Sequence, residues 1–198
     1  MKTHIILLTA FVCIALFQSC NSETNSQKDP ENQDVEKMST QSLVERGEYL
    51  VLLSGCDHCH TPKKMTDQGP VPDMDRWLMG YPSGDPLPEI TKEALGPGKW
   101  VLFNGDLTAA VGPWGVSFSA NLTPSESGIG NWSYENFKKS MTEGKHKGME
   151  GTRMVLPPMP WQSLGIIKED DLKAIYEYLK TINPIENVVP PPIPPDGI

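Results

Sequence analysis

Cysteine is scarce in this chain, with four in 198 residues. Cys13 lies in an apolar N-terminal run, Cys20 follows it, and only Cys56 and Cys59 remain beyond. That stock excludes a disulfide framework. Cations are in deficit too, with 17 Lys and Arg against 25 Asp and Glu and a net charge of −8. The balance argues against nucleic acid as a partner and leaves no basic patch for anionic lipid. The apolar run from Ile5 to Phe17 is too short to span a bilayer comfortably. No internal repeat is evident. No stretch alternates convincingly as a strand, and Trp100 to Gly105 and Val111 to Ala120 are the best candidates for short extended pieces.

What is present begins with an export pattern. Lys2 and His4 make a short basic start, and Ile5 to Phe17 suits a signal h-region. It ends in Leu16-Phe17-Gln18-Ser19-Cys20, a small residue followed by Cys, which resembles a bacterial lipobox with Leu16 one place further out than is usual. Residues 1–19 are expected to be a lipoprotein-type signal peptide, with Cys20 lipidated and more than one acyl chain holding the protein to a membrane. Plain secretion and an uncleaved anchor are the alternatives. Residues 20–41 carry no aromatic residue and no Leu, Ile or Phe. They cannot bury enough apolar surface to order themselves and are expected to be a tether spanning roughly 25 Å. The folded part is expected over 42–184, and 185–198 as a Pro-rich extended tail, packed on the surface or loose.

Three helices are expected. The first runs from Ser42 to Leu53, with Leu43, Gly47, Leu50 and Val51 at helical spacing and Gly55 after its end. The second runs from Tyr134 to Glu143, capped by Ser133 and stopped by Gly144. The last runs from Glu169 to Ile182, with acidic residues at the positive end of its dipole and Leu172, Ile175, Tyr176 and Leu179 on its buried stripe. Between His60 and Asn131 the chain is rich in Gly and Pro. A segment that long either wraps something large or forms a small inserted subdomain.

The chemistry is concentrated in Cys56-Asp57-His58-Cys59-His60. C-x-x-C-H is the attachment signature of a c-type haem. Cys56 and Cys59 are spaced to form thioethers with its two vinyl groups, and His60 follows as proximal iron ligand. One such run predicts one haem c per chain, attached after export. For the second axial ligand, His146 lies in a polar run that reads as a surface turn, and nine methionines make a lone Met uninformative. Met159 stands out in Leu156-Pro157-Pro158-Met159-Pro160-Trp161, because the flanking prolines forbid a helix and stiffen the backbone that presents it. Met159 is assigned as distal ligand and Met154 is held in reserve; the plain alternative is a Met that plugs the core. Trp100, Trp114, Trp132 and Trp161 are expected in the haem pocket or the core. Arg153, Lys99 and Asn121 are candidates for the propionates or for loop stabilisation. His58 is a spacer.

These pieces resemble a monohaem class I cytochrome c domain, and more narrowly the cytochrome c domains of membrane-bound alcohol dehydrogenase cytochrome subunits. The resemblance rests on Gly47-Glu48-Tyr49-Leu50, the Cys56–Lys63 run, Ala120-Asn121-Leu122-Thr123-Pro124, Gly128–Ser133, the Met159 run and Glu169–Leu179, in that order. It implies a mainly α cytochrome c fold with crossing N- and C-terminal helices, Gly47 close to Ile175 and Tyr178, and a long irregular insertion around the haem with little or no β. It implies Cys56 and Cys59 as haem anchors, with His60 and Met159 as axial ligands. Those subunits usually hold several haem domains, whereas this chain holds one motif, so a tethered single-electron carrier fits better than a dehydrogenase subunit. With both axial positions filled, the iron has no open site for substrate. An electron carrier, not an enzyme, is expected, on the periplasmic side of a bacterial membrane. Its partners would be a dehydrogenase, a respiratory complex or an oxidase, and its acidic surface suits a basic patch on such a partner. Three rival readings exist: a zinc site from Cys56, Cys59, His60 or His58 and His146; a thiol–disulfide oxidoreductase; and a haem enzyme or gas sensor in which Met159 is absent from the iron or labile.

Overall fold

The computed structural model describes residues 30–198, with side chains from Thr40 onward. The expected signal peptide, Cys20 and the tether as far as residue 29 lie outside the described residues. No helix among those described is long and apolar enough to cross a membrane. Helix α1 spans Pro30–Leu53 and so begins well before the expected Ser42 cap. Helix α2 is the single turn Cys56–His60, α3 spans Tyr134–Glu143, α4 Trp161–Leu164 and α5 Glu169–Thr181.

The frame is the packing of α1 on α5. Leu50 and Val51 of α1 meet Leu172, Ala174, Ile175, Tyr178 and Leu179 of α5 in one core, which Leu78, Ile129 and Phe137 complete. Close approach depends on Gly47: a Cβ there would overlap the Ala174 carbonyl and stand 2.7 Å from Tyr178 Cβ. Arg46 Nε donates to Asp171 Oδ1 at 2.9 Å across the same crossing, and Trp77 Nε1–H donates to the Tyr178 hydroxyl at 3.3 Å. α3 has the expected ends. The Ser133 side chain accepts from the Asn136 N–H, and Gly144 closes the helix at φ 67°.

The expectation of little or no β is overturned. Five strands form two antiparallel sheets within the segment expected to be irregular. β1 (Lys63–Thr66) pairs with β2 (Gly69–Pro72) in a hairpin directly after His60. β3 (Leu102–Phe103), β4 (Ala109–Gly112) and β5 (Gly115–Phe118) form a three-stranded sheet with β4 in the centre, and β3 and β5 lie within the two stretches expected to be extended. The alternation rule needs one wet face and one dry face, and neither sheet offers them. In the hairpin only Lys63 and Gly69 are half-buried and the other residues are exposed, while β4 is buried at every position. Pro70 and Pro72 further disguise β2.

The C-terminal tail is packed. Ile193 exchanges backbone hydrogen bonds with Val116, at 2.8 and 3.0 Å, along the edge of β5. Asn187 is buried, and its Nδ2 donates to the carbonyls of Met79 (2.7 Å) and Tyr81 (2.9 Å).

Candidate haem-attachment site

Gly55 starts α2 in the left-handed region at φ 69°, which turns the chain sharply between α1 and the Cys56–His60 turn. Cys56 and Cys59, three apart on one helical turn, share a face. Both are half-buried and neither is in a disulfide. Burial pushes the Cys56 thiol up to about 11 and raises that of Cys59 as well. These are the reverse of a low-pKa redox cysteine, and the flanking elements are a helix and a hairpin, so the thiol–disulfide reading has no support. Lys63 closes the C-terminal end of α2, its Nζ donating to the carbonyls of Asp57, His58 and Thr61.

His60 is buried and held from two sides. Its backbone carbonyl accepts from the Gly80 N–H at 2.8 Å, and its Nδ1 lies 2.7 Å from the Ala120 carbonyl oxygen. A carbonyl only accepts, so Nδ1 carries the proton and Nε2 presents its lone pair. Burial lowers the pKa of this imidazole, which favours the neutral form a metal requires. Nε2 has no hydrogen-bond partner among the described residues, and it is not among their sealed, unpartnered polar atoms. It therefore opens onto accessible space. An oriented, neutral imidazole with one nitrogen tied to a carbonyl and the other free is the arrangement of a metal-ligating histidine. Gly80, at φ 78°, permits it, because a Cβ there would run into the Ser119 and Ala120 backbone.

Met159 is half-buried on the Leu156–Pro160 loop and borders a cavity of about 380 Å³ lined by Met154, Val155, Pro157 and Trp161 among others. The Trp161 ring packs on Gly144 at the end of α3. β5 and the residues that follow it touch both the Met159 loop and His60. Ser117 Oγ donates to the Pro157 carbonyl at 2.6 Å, and Ala120, three residues on, receives His60 Nδ1. Three extended residues cover roughly 10 Å, so one short segment carries a contact to the Met159 loop at one point and to His60 at the other. Paired thiols and a free Nε2 on the single turn of α2 fit a covalently attached haem.

The remaining candidates scatter. Among the described residues no cluster of three or more His, Cys, Asp and Glu could hold a metal ion, so the zinc set does not assemble. His146 lies in a short 3-10 turn, where burial and then the charges of Arg153 and Lys147 push its pKa down to about 4. His58 is exposed, 3.4 Å from Asp57 Oδ1. Asn121 is buried but bonds Thr123 and the Ile185 carbonyl; Lys99 bonds the Glu93 carbonyl and Arg153 that of Met154. Of the four tryptophans, Trp132 packs against the core and Trp100 is 71 % exposed. Sequence reasoning missed Lys63, Ser117 and the Ala120 carbonyl. Only Lys63 carried a signal, as a cation just past a helix end.

No family model matches the chain. Among curated proteins, it is 29% identical over 138 residues to the gluconate 2-dehydrogenase cytochrome c subunit of Pantoea cypripedii, covering 69% of this chain and 22% of that protein. It is 30% identical over 139 residues to the cytochrome c subunit of the quinone alcohol dehydrogenase of Gluconobacter oxydans, covering 70% and 21%. The fructose dehydrogenase cytochrome subunit of Gluconobacter japonicus is 25% identical over 145 residues, covering 72% and 22%. The chain thus spans about a fifth of the length of these relatives. It carries a cytochrome c domain similar to those of dehydrogenase cytochrome c subunits.

Proposed function

We propose that this chain is an exported c-type cytochrome, held to a membrane by lipid on Cys20, that carries single electrons for a redox partner such as a dehydrogenase. One haem c per chain supplies the one-electron couple when bound. Cys56 and Cys59 anchor it through thioethers, and His60 and Met159 take the axial positions. The observation that carries the reading is the His60 imidazole, oriented by the Ala120 carbonyl with Nε2 left open. The relatives support it, as subunits named for cytochrome c within dehydrogenases. The signal peptide over 1–19, the cytochrome domain over 42–184 and the periplasmic side of a bacterial membrane belong to the same proposal.

Each side chain has a distinct task in this reading. His60 gives a neutral nitrogen whose orientation is fixed by the Ala120 carbonyl. Lys63 stiffens the turn that spaces the two thiols. Met159 would offer its thioether to the iron from a proline-bound loop, a ligand that would raise the potential relative to harder ones. The first test is expression with a haem-attachment system followed by denaturation. The polypeptide is expected to stay red; a colourless chain refutes covalent attachment. Met159→Ala is expected to convert a low-spin haem into a high-spin one that accepts external ligands, and an unchanged visible spectrum refutes the distal assignment. A haem enzyme or gas sensor would bind carbon monoxide readily without any substitution.

A further inference from the structure

We propose that Ser117 is the positioning residue for Met159, fixing the loop that presents the thioether; the inference rests on the ligand assignment above. The Leu156–Pro160 loop has little means of holding itself. Pro157, Pro158 and Pro160 have no N–H to donate. Its backbone bonds are local, Met159 N–H to the Leu156 carbonyl at 3.3 Å, Trp161 N–H to the Met159 carbonyl at 3.0 Å, and the Ser163 and Leu164 N–H groups to the Pro160 carbonyl at 3.0 and 3.2 Å; just before the loop, Val155 N–H donates to the Gly144 carbonyl at 2.6 Å. Among the described residues, the one side-chain hydrogen bond that reaches this loop from elsewhere in the fold is Ser117 Oγ to the Pro157 carbonyl, at 2.6 Å.

The hydroxyl is itself directed. Trp114 Nε1–H donates to Ser117 Oγ at 3.3 Å, so the oxygen accepts there and spends its single proton on Pro157; the Ala110 carbonyl, at 3.4 Å, is the more distant acceptor. The Trp114 ring is fixed in turn against Gly112, where a Cβ would stand 2.6 Å from ring Cη2. Trp114, Ser117 and Pro157 thus form a relay from the tip of the β4–β5 turn to the loop. Two residues past the end of β5, the Ala120 carbonyl orients His60. His60 and the Met159 loop are therefore both contacted from the short segment Ser117–Ala120. Without the Ser117 proton the loop keeps its anchors at Met154 and Val155 but loses its side-chain tie at Pro157, and Met159 competes less well with an added ligand.

The test is carbon monoxide binding to the reduced, haem-loaded full chain. Ser117→Ala is expected to bind roughly tenfold more tightly than the wild type, as loss of one well-directed hydrogen bond implies. Ser117→Thr, which keeps the hydroxyl, is expected to stay near the wild type, and Met159→Ala to bind most tightly. If Met159→Ala binds no better than the wild type, the ligand assignment itself falls. If Met159→Ala opens the iron while Ser117→Ala and Ser117→Thr both match the wild type, the role of Ser117 is overturned and the ligand assignment stands. Should Ser117→Ala not accumulate, Ser117→Val against Ser117→Thr makes the comparison at matched shape, and equal affinities overturn the proposal.

Discussion

Asp73 is the most heavily committed carboxylate of the domain. It is 3% exposed, with Lys64 Nζ at 2.7 Å and Arg76 Nε at 2.6 Å, and it accepts from the Asp75 N–H at 3.2 Å. Its own N–H donates to the Pro62 carbonyl two residues after His60, so it braces the turn leaving the haem motif. Burial alone would raise its pKa, but the bonds from Lys64, Arg76 and Asp75 outweigh burial and hold it below the ordinary carboxyl value. A depressed carboxyl stabilises the fold above the unfolded value, near about 4. The contribution disappears as pH falls through the lower, folded value. Asp73→Asn is expected to cost about 1–3 kcal/mol at neutral pH and to flatten the acid limb of stability, read by urea unfolding between neutral and acid pH. An unchanged acid limb rules this out. At this scale the sequence was legible only where chemistry sits in side-chain identity. Cys56, Cys59 and His60 form a motif by residue type and spacing, and Met159 stands out by its flanking prolines; these are the residues proposed to hold the haem. The Ala120 carbonyl cannot stand out, because every residue has one, and Ser117 is one serine among many until β5 lies beside Pro157.

At the scale of elements, periodicity decided what could be read. α5 carries a buried stripe on a wet surface, so its spacing in sequence reports its packing, while α3 buries only Phe137 and is read from Ser133 and Gly144 at its ends. β3 and β5 fall within the Trp100–Gly105 and Val111–Ala120 stretches expected to be extended, whereas the hairpin and the start of β4 were hidden for the opposite reason. The β1–β2 hairpin is mostly exposed and β4 wholly buried, so neither alternates. The α1–α5 crossing gives the sharpest prediction. Gly47→Ala places a methyl against the Ala174 backbone, which no rotamer change relieves. It is expected to destabilise by about 1–3 kcal/mol, the range of overpacked cores, in thermal or denaturant unfolding. Ser133→Ala, which removes only a cap, is expected to cost about 1 kcal/mol. A Gly47→Ala protein as stable as the wild type would mean that the two helices can separate freely.

The whole molecule is closed by its tail, which ties together segments far apart in the chain. Asn187 Oδ1 accepts from the Ser83 N–H at 2.8 Å while Nδ2 donates to Met79 and Tyr81, so one buried amide satisfies three backbone groups of the 79–83 segment. Its backbone N–H donates to Ser127 Oγ at 2.8 Å, joining that segment to the 121–127 turn. The 79–83 segment includes Gly80, whose N–H holds the His60 carbonyl, and Tyr81, whose N–H bonds Ser119 next to Ala120. Asn187 is therefore linked to the orientation of His60 through two short backbone bridges. Asn187→Ala leaves the Met79 and Tyr81 carbonyls without their donor, and buried unpaired groups cost roughly 1–3 kcal/mol. The variant is expected to unfold at lower denaturant, with the loss concentrated around residues 79–83 and 119–121 in hydrogen exchange. Asn187→Asp, which keeps the shape and removes the two N–H donors, is expected to be at least as damaging. Loosening confined to the tail, with residues 79–83 still protected, would show that the tail merely rests on the domain and that His60 is held without it.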